Sequence, residues 1–398
     1  MGCRSKGNGE RVQAVWNEIG DDDDASTSRA ADLDKIGVVA DDPMVAPKHS
    51  AHGRDIRSLD GLRAVAVTAV IMGHFLERSF ARDGGLPLKL VGEFASGGVG
   101  LFFGISGFLI TRLLLVEKSR GGIDLVRFYA RRAVRLWPPL WIFLTAASIL
   151  AAAGFVTVTS ESVVAAFFFA SDYLFGPTAM FHLWSLAVEE QFYLLWPVVL
   201  IFAGVRRSRH LLIAAIIAAP AIRVASYVLF PQWRGSVDYQ FHQRYDVLAF
   251  GCLLAVLWSN PHTQEWIRTQ SATLTAGGLA VAAAASLGNA LGGGRFHLLV
   301  GFSLQAGAFA AIIAGVVTST GLTGRLLNSP ALRHLGCISY SLYLWQQIFT
   351  LTPFGIFKVP IVGLLAALLI AELSYRLIEL PMEPIRRRLH SRRTVASQ

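Results

Sequence analysis

Long apolar stretches, separated by short polar segments, recur along the chain from residue 59 towards the C-terminal end. A helix needs about 20 apolar residues to cross the hydrocarbon core of a bilayer, and most of these stretches approach that length. We distinguish eleven windows, at 59–79, 95–117, 136–154, 162–175, 183–204, 210–230, 244–259, 272–290, 297–319, 336–354 and 359–380. The pattern predicts an all-α polytopic membrane protein.

Basic residues predict the orientation of the helices. Cytoplasmic loops of membrane proteins carry an excess of Lys and Arg, and the most basic segments here are 118–135, 205–210 and the C-terminal tail. These segments share one side of the membrane only if one window between the first two does not cross it. The window 162–175 is the shortest and contains Asp172, so we interpret it as re-entrant or extracytoplasmic. About ten transmembrane helices remain, with both termini cytoplasmic.

Composition agrees with a membrane protein. Of the 398 residues, 53% are hydrophobic and 16% are charged, and the mean hydropathy is +0.48. Soluble domains carry about 25% charged residues, so these values exclude an ordinary soluble enzyme. The net charge is +9, but the first 58 residues hold eight basic and eleven acidic residues. The positive excess therefore lies in the short loops between helices, which indicates a lipid bilayer and no nucleic acid as partner.

The polar and apolar segments divide the chain into three regions. Residues 1–56, with the acidic run 21–24, are expected to form a disordered cytoplasmic tail. Residues 57–385 form the transmembrane domain, and residues 386–398 form a basic cytoplasmic tail. The three cysteines are not spaced for metal ligation, so no metal site is expected.

The first window carries three ionisable residues, Asp60, Arg63 and His74, in an otherwise apolar helix. Ionisable groups inside a bilayer cost free energy and are therefore candidates for function. Arg63 and His74 are eleven residues apart, so on a helix they differ by about 20° in direction and about 16 Å in depth. Both lie on one face, and Asp60 lies within pairing distance of Arg63. The structural alternative is an interfacial Arg and a His that is bonded to a backbone carbonyl.

The segment around Arg63 and His74 resembles the opening signature of the membrane acyltransferase 3 family, with Arg, ten residues and then His. Six further segments are similar to the family's pattern in the same order, and the likeness covers about residues 57–385. The seven segments are LDGLRAVAVTAVIMGH, GGVGLFFGISGFLITRLL, FYARRAVRLWPPLW, HLWSLAVEEQFYLLWP, RYDVLAFGCLLA, SYSLYLWQQ and YRLIELP. Each is weak evidence alone, whereas seven in order are specific.

The resemblance implies an integral membrane O-acyltransferase of a bacterial inner membrane. Such proteins move an acyl group, here expected to be acetyl, from cytoplasmic acyl-CoA to a hydroxyl of a glycan, a glycolipid or a small natural product. Acyl-CoA would be a co-substrate, and no permanently bound cofactor is expected. Residues 57–385 would be the acyltransferase domain, without the hydrolase-like domain that some relatives append after the last helix. The resemblance does not identify the acceptor. It also does not distinguish an acetyl group from a succinyl or a longer acyl group.

The donor carries phosphates, which favour cations on the cytoplasmic side of the membrane. The predicted topology brings Arg63 and the basic segment around the start of the third helix to that side. The candidate donor-binding residues are Arg127, Arg131, Arg132 and Arg135. The alternative for this segment is a topology anchor that never contacts a donor.

His74 is the candidate catalytic base, with Arg63 and Glu189 completing the predicted catalytic set. A neutral imidazole either removes the proton from the acceptor hydroxyl or takes the acyl group itself as an acyl-imidazole. Glu189 is the predicted carboxylate partner of the imidazole, because it lies about 10 Å along a helix that runs inward. Glu190 is the second candidate for this role. The structural alternative is that both carboxylates only form hydrogen bonds with neighbouring helices.

Four residues are candidates for acceptor binding. Arg244 and Asp246 lie near the expected outer face, where they either bind a sugar or pair with each other. Tyr343 and Trp345 belong to an aromatic stripe that either stacks on a sugar or only marks the membrane interface.

Three other positions qualify the resemblance. Many family members have His directly after the Trp of the SYSLYLW segment, whereas this chain has Gln346. That position therefore supplies no catalytic imidazole, although an amide still forms hydrogen bonds. Ser106 lies among glycines and is interpreted as a packing residue in preference to a nucleophile. His182 is interpreted as an interface residue in preference to a second base.

Two functions from other classes compete with acyl transfer. A multipass transporter or flippase would also place ionisable residues along a substrate path, but the sequence has no clear internal repeat. A receptor or assembly scaffold would retain the fold without catalysis. Turnover of acyl-CoA by the purified protein distinguishes both from an acyltransferase.

Overall fold

A computed structural model describes residues 56–80, 85–174, 178–350 and 354–391. Residues 1–55 of the predicted N-terminal tail and residues 392–398 lie outside these ranges. Within them the chain is helical and contains no strand. The α-helices are α1 Arg57–Phe80, α2 Gly85–Ser119, α3 Leu125–Ala152, α4 Ser160–Phe167, α5 Leu183–Leu229, α6 Phe241–Trp258, α7 Pro261–Thr269, α8 Ser271–Phe296, α9 Phe302–Thr318, α10 Leu322–Leu327, α11 Pro330–Cys337, α12 Ser339–Thr350, α13 Pro360–Ser374 and α14 Leu380–Ser391.

Six helical stretches of the described chain are long and apolar enough to cross a membrane. Two of them, Leu183–Leu229 and Ser271–Thr318, contain 47 and 48 residues, so each is about 70 Å long and could cross a core of about 30 Å twice. Glycines with positive φ interrupt both: Gly204 has φ 71° and Gly293 has φ 67°. The chain is thus an all-α, multi-pass membrane protein, and the count of ten spans stays a prediction.

The described part of the window 162–175, residues 162–174, contains only a short helix. α4 has eight residues, about 12 Å, and is too short to cross the bilayer. The segment after it is tied to the rest of the fold by Asp172, which is fully buried. Its carboxylate accepts hydrogen bonds from the Gln191 side chain at 2.8 Å and from the backbone N–H of Phe241 at 3.1 Å. These bonds hold the segment against the start of α6.

Helices α2 and α6 cross so closely that their backbones touch. A Cβ on Gly107 would lie 2.2 Å from the carbonyl oxygen of Leu248, and one on Gly251 would lie 2.2 Å from that of Gly104. Small residues permit such crossings in membrane proteins, where dispersion contacts and not water drive helix association. The glycines on both sides of Ser106 therefore set how closely α6 approaches it.

Helix α12 is buried along nearly its whole length and contacts α1, α3 and α13. Its side chains Leu342, Leu344 and Ile348 pack in an apolar core with residues of those helices. The remaining faces carry Tyr343, Gln346 and Gln347 towards α1 and the start of α5, where the hydrogen bonds described below are formed. α12 is therefore the element that positions polar groups in the centre of the helix bundle.

Candidate functional site

A cavity of about 1100 Å³, which we call the histidine cavity, lies between α1, α2, α8 and the start of α5. Its described walls combine polar and ionisable side chains with small and aromatic ones. Its wall includes His74, Glu77, Lys89, Glu93, Val99, Phe181, His182, Asp238, Tyr239, His297 and Tyr343. It is large enough for a ligand of several rings, since small-molecule sites have volumes of about 300–1,000 Å³.

The hydrogen bonds around His74 fix the tautomer of its imidazole ring. Nδ1 lies 2.9 Å from Oε1 of Gln346, and the same oxygen accepts a hydrogen bond from the Thr350 hydroxyl at 2.8 Å. In the orientation that the structure gives the Gln346 amide, its oxygen faces Nδ1 and can only accept a hydrogen bond, so Nδ1 carries the proton. Nε2 is then the nitrogen with a lone pair, and no described side chain forms a hydrogen bond with it. His74 can therefore act as a base towards a group in the histidine cavity.

His182 also lines the histidine cavity, but both of its ring nitrogens are engaged. Nδ1 is hydrogen-bonded to Gln347, and Nε2 lies 3.0 Å from the carbonyl oxygen of Leu344. The side chain is 2% exposed and packs edge-on against Phe143. His182 thus joins the start of α5 to α12, in agreement with a structural role.

The charged groups of the histidine cavity are mainly acidic. Glu77, Glu93 and Asp238 face one Lys, Lys89, along the described walls. Asp238 is hydrogen-bonded to His297 at 2.6 Å. Burial alone would raise the pKa of Asp238, but the hydrogen bond and charge of His297 hold that pKa below its usual range. With Lys89 and His297 set against these three carboxylates, the described walls keep a small excess of negative charge, which disfavours anionic ligands.

A second cavity, of about 210 Å³, lies between α1, α2, α3, α5 and α12, and we call it the arginine cavity. The apolar part of its wall comes mainly from α2. The polar residues on its wall are Arg63, Ser106, Arg132, Arg135, Ser185, Glu189, Tyr193, Ser339, Tyr340 and Tyr343. Three arginines and one carboxylate give this wall net positive charge, opposite to that of the histidine cavity.

Glu189 is held in the arginine cavity by three side chains. The hydroxyls of Ser106 and Tyr193 each donate a hydrogen bond to it at 2.7 Å, and the guanidinium of Arg132 lies 3.7 Å away. Arg132 pairs more closely with Glu190 and stacks on the Tyr193 ring at 3.4 Å. Ser106, interpreted from the sequence as a packing residue, thus also contributes a hydroxyl to this network.

Two arginines of the arginine cavity are held less closely by carboxylates than Arg132 is. Arg63 has its nearest described carboxylate, Asp60, at 3.9 Å. Arg135 forms no ion pair within the described part of the chain. A cation without a carboxylate partner in an apolar bundle is costly unless it faces water or an anionic ligand. The arginine cavity therefore offers cationic groups that are available to a ligand.

The two cavities share a wall. Val99 on α2 and Tyr343 on α12 line both of them. The Tyr343 hydroxyl is hydrogen-bonded to the Ser185 hydroxyl at 2.5 Å and donates to the carbonyl of His182 at 3.0 Å. The histidine cavity, which is acidic, and the arginine cavity, which is basic, are thus separated by about the thickness of one side chain.

The structure places Glu189 in the arginine cavity and not beside His74, which corrects the predicted contact between them. α5 begins directly after His182, and both histidines are bonded to adjacent glutamines of α12, so His182 lies at the level of His74. Seven residues further along, Glu189 lies about 10 Å deeper. The prediction placed the start of this helix at the membrane surface, whereas it is buried.

The predicted donor-binding arginines separate into two groups. Arg132 and Arg135 line the arginine cavity together with Arg63. Arg127 pairs with Asp124 at the start of α3, and Arg131 pairs with Glu117 of α2, both away from the described cavity walls. Arg127 and Arg131 therefore fit the role of a topology anchor, which the sequence left open as the alternative.

Of the predicted acceptor-binding residues, only Tyr343 lines either of these two cavities. Asp246 forms a fully buried ion pair with Arg223 and accepts a hydrogen bond from Ser303 at 2.9 Å. Arg244 is buried with its guanidinium 4.6 Å from the centroid of the Phe302 ring. Of the two alternatives for these residues, the pair of Arg244 with Asp246 is not formed, because Arg223 pairs with the carboxylate.

Trp345 lies in the apolar core, where it packs edge-on against Phe143. The aromatic stripe predicted from its spacing with Tyr343 therefore divides between two environments. Sequence reasoning missed Arg223, although a lone Arg in the apolar window 210–230 was the available signal.

The buried pair generates a stability prediction. Asp246→Asn removes the charge from a carboxylate that is 0% exposed and leaves the Arg223 guanidinium without its counter-ion. We expect a loss of about 3–5 kcal/mol in the free energy of unfolding, seen as a lower melting temperature in detergent. Glu265→Gln is the matched control, because its pair with Arg268 is exposed and contributes about 1 kcal/mol or less. Unchanged melting of Asp246→Asn, with weaker acceptor binding, would support the predicted acceptor role instead.

Comparisons with known proteins agree with this architecture. A family described as an acyltransferase domain matches residues 56–373. O-acetyltransferase OatA of Staphylococcus aureus (strain NCTC 8325) is 30% identical over 358 residues, which cover 83% of this chain and 57% of the relative. Peptidoglycan O-acetyltransferase OatA of Listeria monocytogenes is 29% identical over 366 residues, which cover 82% of this chain and 56% of the relative.

The chain therefore spans little more than half the length of these relatives. No solved structure is similar to it at a significant level. Because the family match extends over most of the chain, this protein belongs to the acyltransferase 3 family of membrane proteins.

Proposed function

We propose that the protein transfers an acetyl group from acetyl-CoA to a hydroxyl of a polysaccharide in the bacterial cell envelope. The observation that carries the proposal is the pair of cavities of opposite charge that meet at Tyr343, with the free Nε2 of His74 on the acidic side. Family membership supplies the reaction class, and the name of the Listeria relative supplies peptidoglycan as the acceptor to test first.

The arginine cavity is the donor side in this proposal. Arg135 forms no ion pair with a described residue, and Arg63 pairs only with Asp60 at 3.9 Å, so both can turn to the phosphates and the thioester carbonyl of acetyl-CoA. A volume of about 210 Å³ is enough for the acetyl end of the acyl-pantetheine arm, with the rest of the donor outside. Acetyl-CoA is a cytoplasmic metabolite, so this side would face the cytoplasm of a bacterium.

The histidine cavity is the acceptor side. Its size accommodates saccharide rings, and Glu77, Glu93 and Asp238 can accept hydrogen bonds from sugar hydroxyls. Negative walls disfavour the polyanionic donor, so the two substrates are sorted by charge between the cavities. The glycan would then enter from the face opposite the donor.

The chemical step follows from the tautomer of His74. Nε2 takes the proton of the acceptor hydroxyl as the oxygen attacks the thioester carbonyl. A C–O bond forms, the C–S bond breaks, and the CoA thiolate leaves through the arginine cavity. The imidazolium then returns its proton to the thiolate or to water. Gln346 stabilises the positive ring by accepting from Nδ1–H, as a polar partner orients other catalytic histidines.

The histidine is the most direct test of this step. His74→Ala removes the base, and we expect kcat for CoA release in the presence of glycan to fall by about 10²–10⁴-fold. His262→Ala is the control, because its side chain is exposed at the start of α7. Full activity of His74→Ala would remove the imidazole from the mechanism, and absence of CoA release by the wild type would favour transport.

Gln346 tests the tautomer separately from the base. Gln346→Ala leaves Nδ1 without its acceptor, so the ring is free to place its proton on Nε2. We expect kcat to fall about tenfold, with the acetyl-CoA KM unchanged, since ring orientation and not binding is lost. Restoration by Gln346→Asn or Gln346→His would support a positioning role, whereas a change in KM alone would contradict it.

The donor side is tested by two arginines of α3. Arg135→Ala removes a cation from the arginine cavity, and we expect the KM for acetyl-CoA to rise about tenfold, the value of a charged hydrogen bond. Arg127→Ala is the matched control, because Arg127 pairs with Asp124 away from the described cavity. Equal effects of the two substitutions would show that charge on the surface, and not the cavity, attracts the donor.

A further inference from the structure

A third cavity, of about 610 Å³, adjoins the histidine cavity, and we call it the aromatic cavity. It lies between α4, the segment that follows α4 and the short helix Pro231–Ser236. Its wall carries the rings of Tyr173, Phe181, Trp233 and Tyr239. Phe181 and Tyr239 also line the histidine cavity, so the two spaces share a wall.

We propose that the aromatic cavity is a second saccharide subsite, which binds the part of a glycan chain that extends beyond the acetylated sugar. This inference rests on the proposed glycan acceptor, because the histidine cavity would hold the reacting unit. It adds a distinct requirement, that the protein prefers an oligosaccharide to a single sugar.

The aromatic rings are held in place by contacts outside the cavity. Phe230 stacks on Trp233 with the ring centroids 4.5 Å apart. His242 lies 5.9 Å from Tyr173 in a stacked arrangement, and its Nδ1 is hydrogen-bonded to the Tyr173 hydroxyl at 3.0 Å. His242 is in turn bonded to Ser226 of α5 at 2.8 Å. Rings that are fixed in advance lose little entropy when a ligand binds.

The polar groups of the cavity suit a neutral, hydroxyl-bearing ligand. Glu161 and Gln232 are exposed on its wall and form no side-chain hydrogen bond with any described residue. A carboxylate and an amide offer acceptors and donors that match sugar hydroxyls. No Lys or Arg lies on the described wall, so a phosphate or another anion finds no cationic partner there.

The arrangement differs from an interfacial belt of aromatic residues that only meets lipid. Trp and Tyr of such belts point outward at the headgroups, whereas Phe181 and Tyr239 pack edge-on at 4.9 Å in the wall between two cavities. Pyranose rings present C–H faces that pack on aromatic faces and hydroxyl edges that bond polar groups. Aromatic walls with a few polar groups are the usual composition of a site for such amphipathic ligands.

The test measures binding without donor, using the full chain in nanodiscs. N-acetylglucosamine and its β-1,4-linked oligomers are the probes, and affinities are compared for wild type and Trp233→Ala. We expect the wild type to bind the oligomer more tightly than the monosaccharide. Trp233→Ala should weaken oligomer binding about tenfold, the usual loss for a buried aromatic anchor, and leave monosaccharide binding unchanged.

Three further variants make the test specific. Trp266→Ala is the matched control, since that side chain is 57% exposed on α7. Trp233→Phe should restore part of the affinity, and Gln232→Ala, which leaves the rings intact, should weaken oligomer binding if Trp233→Ala does not fold. Equal wild-type affinity for monosaccharide and oligomer, no oligomer binding, or equal effects of Trp233→Ala and Trp266→Ala would overturn the subsite.

Binding and transfer fail separately. If the oligomer binds in a Trp233-dependent manner but no acetyl group is transferred to it, the subsite is supported and the proposed function is contradicted. If acetyl transfer occurs at equal rates to the monosaccharide and the oligomer, the proposed function is supported and the subsite is contradicted.

Discussion

The cost of an unpaired charge in an apolar helix bundle governs this structure. Several ionisable side chains of the described bundle are neutralised by a partner on another helix, as Arg223 is by Asp246 and Arg132 is by Glu190. Such pairs fasten helices to one another and leave nothing for a substrate. Arg135 and the Nε2 atom of His74 are different, because each faces a cavity without a described partner. Arg244 is also buried without an ion pair to a described residue, but it lines neither cavity. A missing partner therefore indicates a candidate functional group only where the side chain also faces a cavity.

Close packing determines how these exceptions are arranged. The backbone contact of α2 with α6 narrows the bundle, and the buried α12 occupies its centre. From that position α12 bonds His74 through Gln346 and presents Tyr343 to both cavities. A donor and an acceptor held on opposite sides of Tyr343 would be separated by about the thickness of one side chain. In the proposed reaction, only the acetyl group passes this wall.

The helices and the shared face of Arg63 and His74 followed from the sequence, because hydropathy and the helical period are local properties. The family was also recognisable from ordered motifs. The depth of Glu189 in the helix bundle could not be predicted from the sequence. It depends on α5 starting inside the protein, and only the packing of α5 against α12 determines that start. Likewise, Asp246 is neutralised by Arg223 and not by Arg244. The geometry of the helices determines which of the two arginines reaches the carboxylate.

Sidedness tests the central claim most directly. The protein is reconstituted in sealed liposomes with radiolabelled acetyl-CoA outside and an N-acetylglucosamine oligomer inside, and acetylated oligomer is measured in the lumen beside His74→Ala. The account predicts labelled product in the lumen for the wild type and none for the variant, while acetyl-CoA stays outside. Product only when donor and acceptor share one compartment would contradict transfer between two cavities on opposite sides of Tyr343.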